Sequence, residues 1–130
     1  MIKTLIIDDT EEWYQLISKI LSSNDFHLTY AENSQKAKGF LKNQTFHLLI
    51  LDAFIPDMDD WWSFYSFVKK EPRLKNIRVI VTLPKITPEA SLEWESRLKI
   101  FLSNGDKLIY KPFTALELTS IVSMVMKCTG

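Results

Sequence analysis

Five short apolar runs, each followed by a stretch of helical periodicity, limit what this chain can fold into more than any other feature. Residues 2–7 are apolar apart from Lys3 and Thr4, with Leu5, Ile6 and Ile7 consecutive, and 47–51 run apolar from Leu48. Consecutive rather than alternating apolar residues mark strands buried on both faces. Shorter runs at 27–31, 79–83 and 108–110 supply a second, fourth and fifth strand. Between them the period changes to that of helices. Over 11–23, Trp13, Leu16, Ile17, Ile20 and Leu21 recur as one stripe. Asn33 and Ser34 can cap a helix carrying Ala37, Phe40 and Leu41. A third helix spans 59–70 and stops near Pro72. A fourth spans 88–102, with Pro88 tolerated in its first turn and Asn104-Gly105 ending it. Thr114 and Glu117 form a capping box for the last helix, which buries Leu118, Ile121, Val122, Val125 and, at its margin, Met126. Strict β-α alternation predicts an α/β fold: a doubly wound parallel sheet with right-handed crossovers and helices on both faces.

Bulk properties narrow the class. With 130 residues the chain makes one domain, spanning 1–130, large enough to fold without staples. Sixteen basic residues balance sixteen acidic ones, which argues against direct nucleic-acid binding, since that usually needs a basic stripe. The single cysteine, Cys128, can form no internal disulfide and fits a reducing compartment. No apolar run approaches the roughly 20 residues that span a bilayer. Met1-Ile2-Lys3 leads straight into a strand, with no signal-peptide pattern. A cytoplasmic protein without membrane contact is the expectation.

Three carboxylates fall at predicted strand ends: Asp8 and Asp9 after the first strand, and Asp52 after the third. In a parallel α/β sheet these ends open into one crevice. Three acids brought together there cannot all stay ionised without a cation, and an all-oxygen set suits Mg²⁺. A metal beside a spare carboxylate oxygen is a place to bind or accept a phosphoryl group. Alone, Asp8 and Asp9 could be a helix cap and a solvated charge, and Asp52 a loop carboxylate.

Over nearly its whole length the chain resembles the receiver domain of bacterial two-component response regulators. Leu5-Ile6-Ile7-Asp8-Asp9 is similar to that family's acidic pair. Leu48-Leu49-Ile50-Leu51-Asp52, followed by Ile55-Pro56-Asp57-Met58-Asp59, is similar to its phospho-acceptor segment, and Lys111-Pro112-Phe113 to its Lys-Pro-Phe after the fifth strand. The resemblance implies a flavodoxin-like (βα)5 sheet of order 2-1-3-4-5. It further implies Mg²⁺-dependent transfer of a phosphoryl group to Asp52 from a histidine kinase or a phosphotransfer protein. Asp9 and Asp52 would bind Mg²⁺ directly, Asp8 mostly through water, and the Phe54 backbone carbonyl would complete the protein's share. Lys111 would pair with a phosphoryl oxygen, and the Lys111-Pro112 bond would be cis. Such a protein is no enzyme beyond catalysing its own phosphotransfer and dephosphorylation. It signals by binding a downstream protein and can form a homodimer. A pseudo-receiver, the same fold used as an unphosphorylated interaction module, is the alternative. A haloacid-dehalogenase-like phosphohydrolase would want an acid where Phe54 stands.

The chain also departs from the family pattern. Counting thirty residues on from Asp52 puts Thr82 at the family's switch position, whereas matching the local text puts Leu83 there. Thr82 is preferred, as the only hydroxyl on that strand. The stretch between Thr82 and Lys111 is long for the family, so the fourth helix or its entry is enlarged. Leu108 stands three before the lysine, where an aromatic is usual, and Tyr110 is expected on the opposite side of the strand. Asp60 replaces a glycine. The absence of a recognisable output domain leaves open a self-contained switch or a receiver cut from a longer chain.

On the third helix, Trp61, Phe64, Tyr65 and Val68 share a core face. Trp62 and Phe67 fall on its flanks, either completing the core edge or forming a partner surface. Trp94, Leu98 and Phe101 read as the core stripe of the fourth helix, with Leu92 and Ile100 off it. His27 and His47, at strand starts away from the acids, read as structural. The ring of Phe54, two residues past Asp52, could shield an acyl phosphate from water.

Overall fold

The apolar runs pair into one parallel sheet. A computed structural model of the chain describes residues 1–23, 25–57, 61–84, 93, 95–96, 102 and 105–127. Its strands are β1 (Ile2–Ile7), β2 (Phe26–Ala31), β3 (Leu48–Asp52), β4 (Arg78–Pro84) and β5 (Lys107–Lys111). They lie in the order β2-β1-β3-β4-β5, all neighbours parallel. Four helices are delimited among the described residues: α1 (Glu11–Ile20), α2 (Ser34–Asn43), α3 (Trp61–Lys70) and α4 (Ala115–Lys127). The predicted helix over 88–102 lies almost wholly outside the described residues, and with it Trp94, Leu98, Phe101, Leu92 and Ile100. Glu93, Glu95 and Ser96 within that stretch are helical. Asp59, Asp60 and Cys128 also lie outside the description.

Two cores, one on each face of the sheet, follow from the two-residue period of strands. Leu5, Ile7, Leu49, Leu51, Val79 and Val81 face α2 and α3, meeting Leu41, Trp61, Phe64, Tyr65 and Val68. Ile6, Leu48, Ile50, Ile80 and Ile109 face α1 and α4, meeting Ile17, Leu21, Leu118, Val122 and Val125. β1 and β3 sit mid-sheet and Leu5, Ile6, Ile7, Leu49 and Leu51 are fully buried, so both parities must be apolar. Each such side chain contributes about 1.5–3 kcal/mol.

Caps set the helix starts. The Asn33 side chain accepts from the Lys36 N–H at 2.8 Å. At α4 the Thr114 and Glu117 side chains accept reciprocally from each other's backbone N–H, both at 3.1 Å. Gly105, with φ 98°, makes the left-handed turn into β5 that other residues resist. His47 is structural, as expected: its Nδ1 accepts from the Lys3 N–H at 2.9 Å, where β1 and β3 begin.

Three expectations need correcting. α1 ends at Ile20 rather than near 23, closed by the Leu21 N–H bonding to the Ile17 carbonyl. Leu16 leaves the α1 stripe and is 38% exposed, because it stands one residue, about 100°, from the buried Ile17. Tyr110 shares its side of β5 with Leu108, since both pack on the α2–α3 core while Ile109 faces the other. Positions two apart on a strand point the same way. On α3 the four predicted core residues are buried, whereas Trp62 and Phe67 are partly exposed.

Candidate functional site

Strand parity collects the functional candidates on one face. Asp8, Asp52, Thr82 and Lys111 continue the parity of Ile6, Ile50, Ile80 and Ile109, so they gather at the carboxyl ends of their strands on the α1–α4 side. Asp52 is the last residue of β3 and pairs in register with Thr82 of β4. Ligand oxygens of Asp8, Asp9 and Asp52 all lie within 4.8 Å of one another. Asp8 and Asp52 are buried and Asp9 is exposed. Lys111 Nζ donates to Asp8 Oδ2 at 2.6 Å and stands 3.5 Å from Asp52 Oδ2. The second oxygen of each buried acid is held by backbone: the Thr10 N–H donates to Asp8 Oδ1 at 2.9 Å, and the Phe54 N–H to Asp52 Oδ1 at 3.1 Å. One oxygen of each acid is thus fixed and the other turned into the crevice. The Lys111-Pro112 bond is cis, as expected.

Among the described residues one ammonium, that of Lys111, is paired with this cluster of three carboxylates. Burial pushes the Asp52 carboxyl up to about 6, with Asp8 and Asp9 adding to the rise, and Lys111 and the Phe54 N–H opposing it. The charge left over calls for a cation. A hard, oxygen-only donor set within this spread fits Mg²⁺. Nearby, Tyr30 Oη donates to the Asp8 carbonyl at 2.8 Å and stacks on Tyr14 at 4.5 Å. Burial and then Asp8 hold the Tyr30 hydroxyl above its ordinary value.

Thr82 Oγ1 is buried without a hydrogen-bond partner among the described residues. Leu83, the other candidate for that position, packs into the opposite core, fully buried. Phe54 is 43% exposed beside the crevice, its side chain on the rim rather than in the core.

The roles of three residues, two beside the site and one at the opposite end of the sheet, were missed by sequence reasoning. Asp57 ties the loop after Asp52 to the start of α2, accepting from the Ser34 N–H at 3.0 Å, Ser34 Oγ at 2.8 Å and the Gln35 N–H at 3.2 Å. Trp13, read only as part of a core stripe, lies with its ring centroid 4.8 Å from Lys111 Nζ. Asp106, at the other end of β5, is buried, accepts from the Val79 N–H at 2.8 Å and pairs with Lys69 at 2.9 Å. An acid immediately past a predicted helix end was the only hint for Asp106; the partners are far away in sequence.

A five-stranded 2-1-3-4-5 sheet with an acid cluster and a lysine at its carboxyl edge defines a flavodoxin-like receiver fold. Comparison with known proteins agrees. The family described as response regulator receiver domain matches residues 4–123. This chain belongs to that family, whose members act in two-component signalling. It is 27% identical over 126 residues to the phosphate regulon transcriptional regulatory protein PhoB of Pseudomonas aeruginosa, covering 97% of this chain and 52% of that protein. It is 29% identical over 125 residues to the transcriptional regulatory protein SpaR of Bacillus subtilis, covering 95% of this chain and 51% of that one. The chain therefore spans about half the length of these curated relatives. Among solved structures, the signal receiver domain of a signal transduction histidine kinase from Syntrophus aciditrophicus superposes with a TM-score of 0.79 at 22% identity, covering 98% of this chain and 92% of that one. The chemotaxis response regulator CheY4 of Vibrio cholerae gives 0.77 at 21%, covering 96% and 98%. These two likenesses establish the fold. No helix among the described residues is long and apolar enough to cross a membrane.

Proposed function

We propose that the domain, which we take to span 1–130, accepts a phosphoryl group on Asp52. The observation that carries this reading is the shared crevice. Asp52 Oδ2 points at Lys111 Nζ across 3.5 Å, with the Asp8 and Asp9 oxygens close by. Asp52 Oδ2 attacks phosphorus, a P–O bond forms, and the bond to the donor's leaving group breaks. That leaving group is the imidazole of a phosphohistidine, carried by a sensor histidine kinase or a phosphotransfer protein. The nucleophile and the incoming group are both anionic, so positive charge must be in place first. Lys111 supplies one such charge and pairs with a phosphoryl oxygen. Asp9 and Asp52 directly, Asp8 through water, and the Phe54 carbonyl would hold Mg²⁺, which when bound neutralises charge on the transferring group. The fixed Oδ1 of Asp52, bonded to the Phe54 N–H, leaves Oδ2 oriented for attack.

Thr82 provides the readout. Its hydroxyl, without a partner among the described residues, lies on the strand beside Asp52, and donation to the phosphoryl would draw β4 inward and alter the surface offered to a downstream protein. Outside this self-phosphorylation and dephosphorylation the domain performs no catalysis. We place its work in the cytoplasm.

Intact mass after incubation with acetyl phosphate and Mg²⁺ tests the reading. One added phosphoryl group is expected, absent without Mg²⁺ and absent in Asp52→Asn. A wild type that never gains mass, and whose stability is unmoved by beryllofluoride with Mg²⁺, overturns it in favour of an unphosphorylated interaction module.

A further inference from the structure

Lys111 has a third neighbour that neither the acid cluster nor the phosphoryl chemistry uses. Its Nζ lies 4.8 Å from the centroid of the Trp13 ring, within cation–π range. The indole is itself held in place. It projects from α1 and packs against Phe113, two residues past Lys111, with centroids 5.2 Å apart and planes inclined by 41°. Trp13 is half-buried against the α1–α4 core, so its face is partly screened from water.

The arrangement resolves a conflict inside the crevice. Lys111 bonds Asp8 Oδ2 at 2.6 Å and approaches Asp52 Oδ2 at 3.5 Å. Those are the crevice-facing oxygens that a divalent cation needs. A metal entering the site therefore competes with the ammonium for the same atoms and also repels it. An ammonium with no other favourable place would resist giving up the carboxylates. The face of an indole attracts a cation through its quadrupole and carries no net charge. Unlike a carboxylate it offers the metal no ligand oxygen, and its quadrupole field acts on an incoming phosphoryl group over a shorter range than a full charge does.

We propose that Trp13 is a positioning residue: its ring holds the Lys111 ammonium at the crevice while the carboxylates are surrendered to a divalent cation. This rests on the Mg²⁺-binding reading above. Removing the ring should push Lys111 back onto the acids and weaken Mg²⁺. Cation–π attraction at partly desolvated sites corresponds to roughly 2- to 30-fold in an equilibrium constant.

Calorimetric titration with Mg²⁺ alone tests it in a cycle: wild type, Trp13→Phe, Trp13→Met, Lys111→Met and the double variant Trp13→Met/Lys111→Met. Trp13→Met is expected to weaken Mg²⁺ roughly 3- to 10-fold, and Trp13→Phe by no more than about twofold, because a phenyl face keeps much of the attraction. In the Lys111→Met background the Trp13→Met change should have no effect. Equal weakening in both backgrounds assigns Trp13 a merely structural role and overturns the proposal. So does no weakening in either. A second readout needs no variant. In lysine-labelled wild-type protein the Lys111 ε-methylene should show an upfield ring-current shift that persists or grows as Mg²⁺ is added. A shift that collapses on adding Mg²⁺ means that the ammonium leaves the ring, and the proposal fails. A wild type that takes up no Mg²⁺ sinks the metal-binding reading and this inference together. Uptake without coupling sinks the inference alone.

Discussion

Replacing Asp52 by asparagine is expected to make the metal-free protein more stable at neutral pH. Asp52 is buried, and burial outweighs the Lys111 ammonium and the Phe54 N–H, holding the carboxyl at about 6 against an ordinary 3.8. The folded chain therefore binds this proton more tightly than the unfolded chain does. Stability contributed by the group is present below 3.8, falls as pH rises from 3.8 to about 6, and stays lost above. At roughly 1.4 kcal/mol per pH unit, keeping the carboxylate ionised at pH 8 costs about 3 kcal/mol. Asparagine keeps the shape and an oxygen for the Phe54 N–H but carries no charge. It also frees Lys111 to serve Asp8 alone. Urea unfolding in EDTA should place Asp52→Asn about 2–3 kcal/mol above wild type at pH 8, a gap that closes toward zero at pH 4. Comparing the two proteins at each pH cancels the other titrating groups. A gap that stays constant between pH 4 and pH 8, or a mutant weaker at both, would refute the idea that burial dominates at this position.

Two further substitutions probe the surroundings of the site. Asp57→Ala removes the carboxylate that accepts from Ser34 and Gln35 at the start of α2, and is expected to lose about 1–2 kcal/mol, as helix caps do. The Asp57 carboxyl is lowered, its hydrogen bonds from Ser34 and Gln35 outweighing burial. Its contribution should thus be full at neutral pH and fade as pH falls through the lowered value; hydrogen exchange at α2 amides would report it. Thr82→Val deletes a buried hydroxyl that has no partner among the described residues, so stability should hold or rise by up to about 1–2 kcal/mol. Acetyl phosphate should still add mass to this variant, while the amide spectra of its two states become more alike than those of wild type. A destabilised Thr82→Val would show that the hydroxyl is satisfied in solution.

How much could be read from the chain alone depended on whether the physics was local. Residues 2–7 could be identified as a buried strand because three consecutive apolar residues, Leu5 to Ile7, in so short a segment have few other uses. Asp8, Asp9 and Asp52 could be found because a strand end fixes where the next side chains go. Thr82 against Leu83 could not be decided from spacing. In the sheet Asp52 pairs with Thr82 while Leu83 turns into the far core, which is what supports proposing Thr82. Tyr110 was misplaced by a parity error rather than by missing information. Asp106 was beyond reach for a different reason. Its partners Tyr65 and Val79 are 41 and 27 residues away, and nothing local distinguishes it from a solvated acid before a strand. Trp13 was read as part of the α1 stripe, and it does pack, half-buried, against the α1–α4 core, but its contact with Lys111 arises only when α1 and the end of β5 are brought together by the fold.

The surplus of negative charge in the crevice links metal to stability, and this link can be tested without any phosphodonor. A ligand that binds only the folded chain stabilises it by about 2.7 kcal/mol at a hundred times its dissociation constant. For a domain of this size that raises the melting temperature by roughly 8–10 °C. The rise should be strongest above the Asp52 value of about 6, where the carboxylate is free to bind metal. At pH 5 a proton occupies Asp52 in most molecules, so apparent Mg²⁺ affinity should fall roughly tenfold from its value at pH 8. Asp52→Asn should lose most of the metal effect, having both fewer ligand charges and less need of neutralisation. Sodium chloride at matched ionic strength separates site binding from screening, since buried charges are screened little. If Mg²⁺ raises the melting temperature of wild type and Asp52→Asn alike, with the same pH dependence, the cation is acting elsewhere on the surface. The three acids would then be balanced by Lys111 and protonation alone.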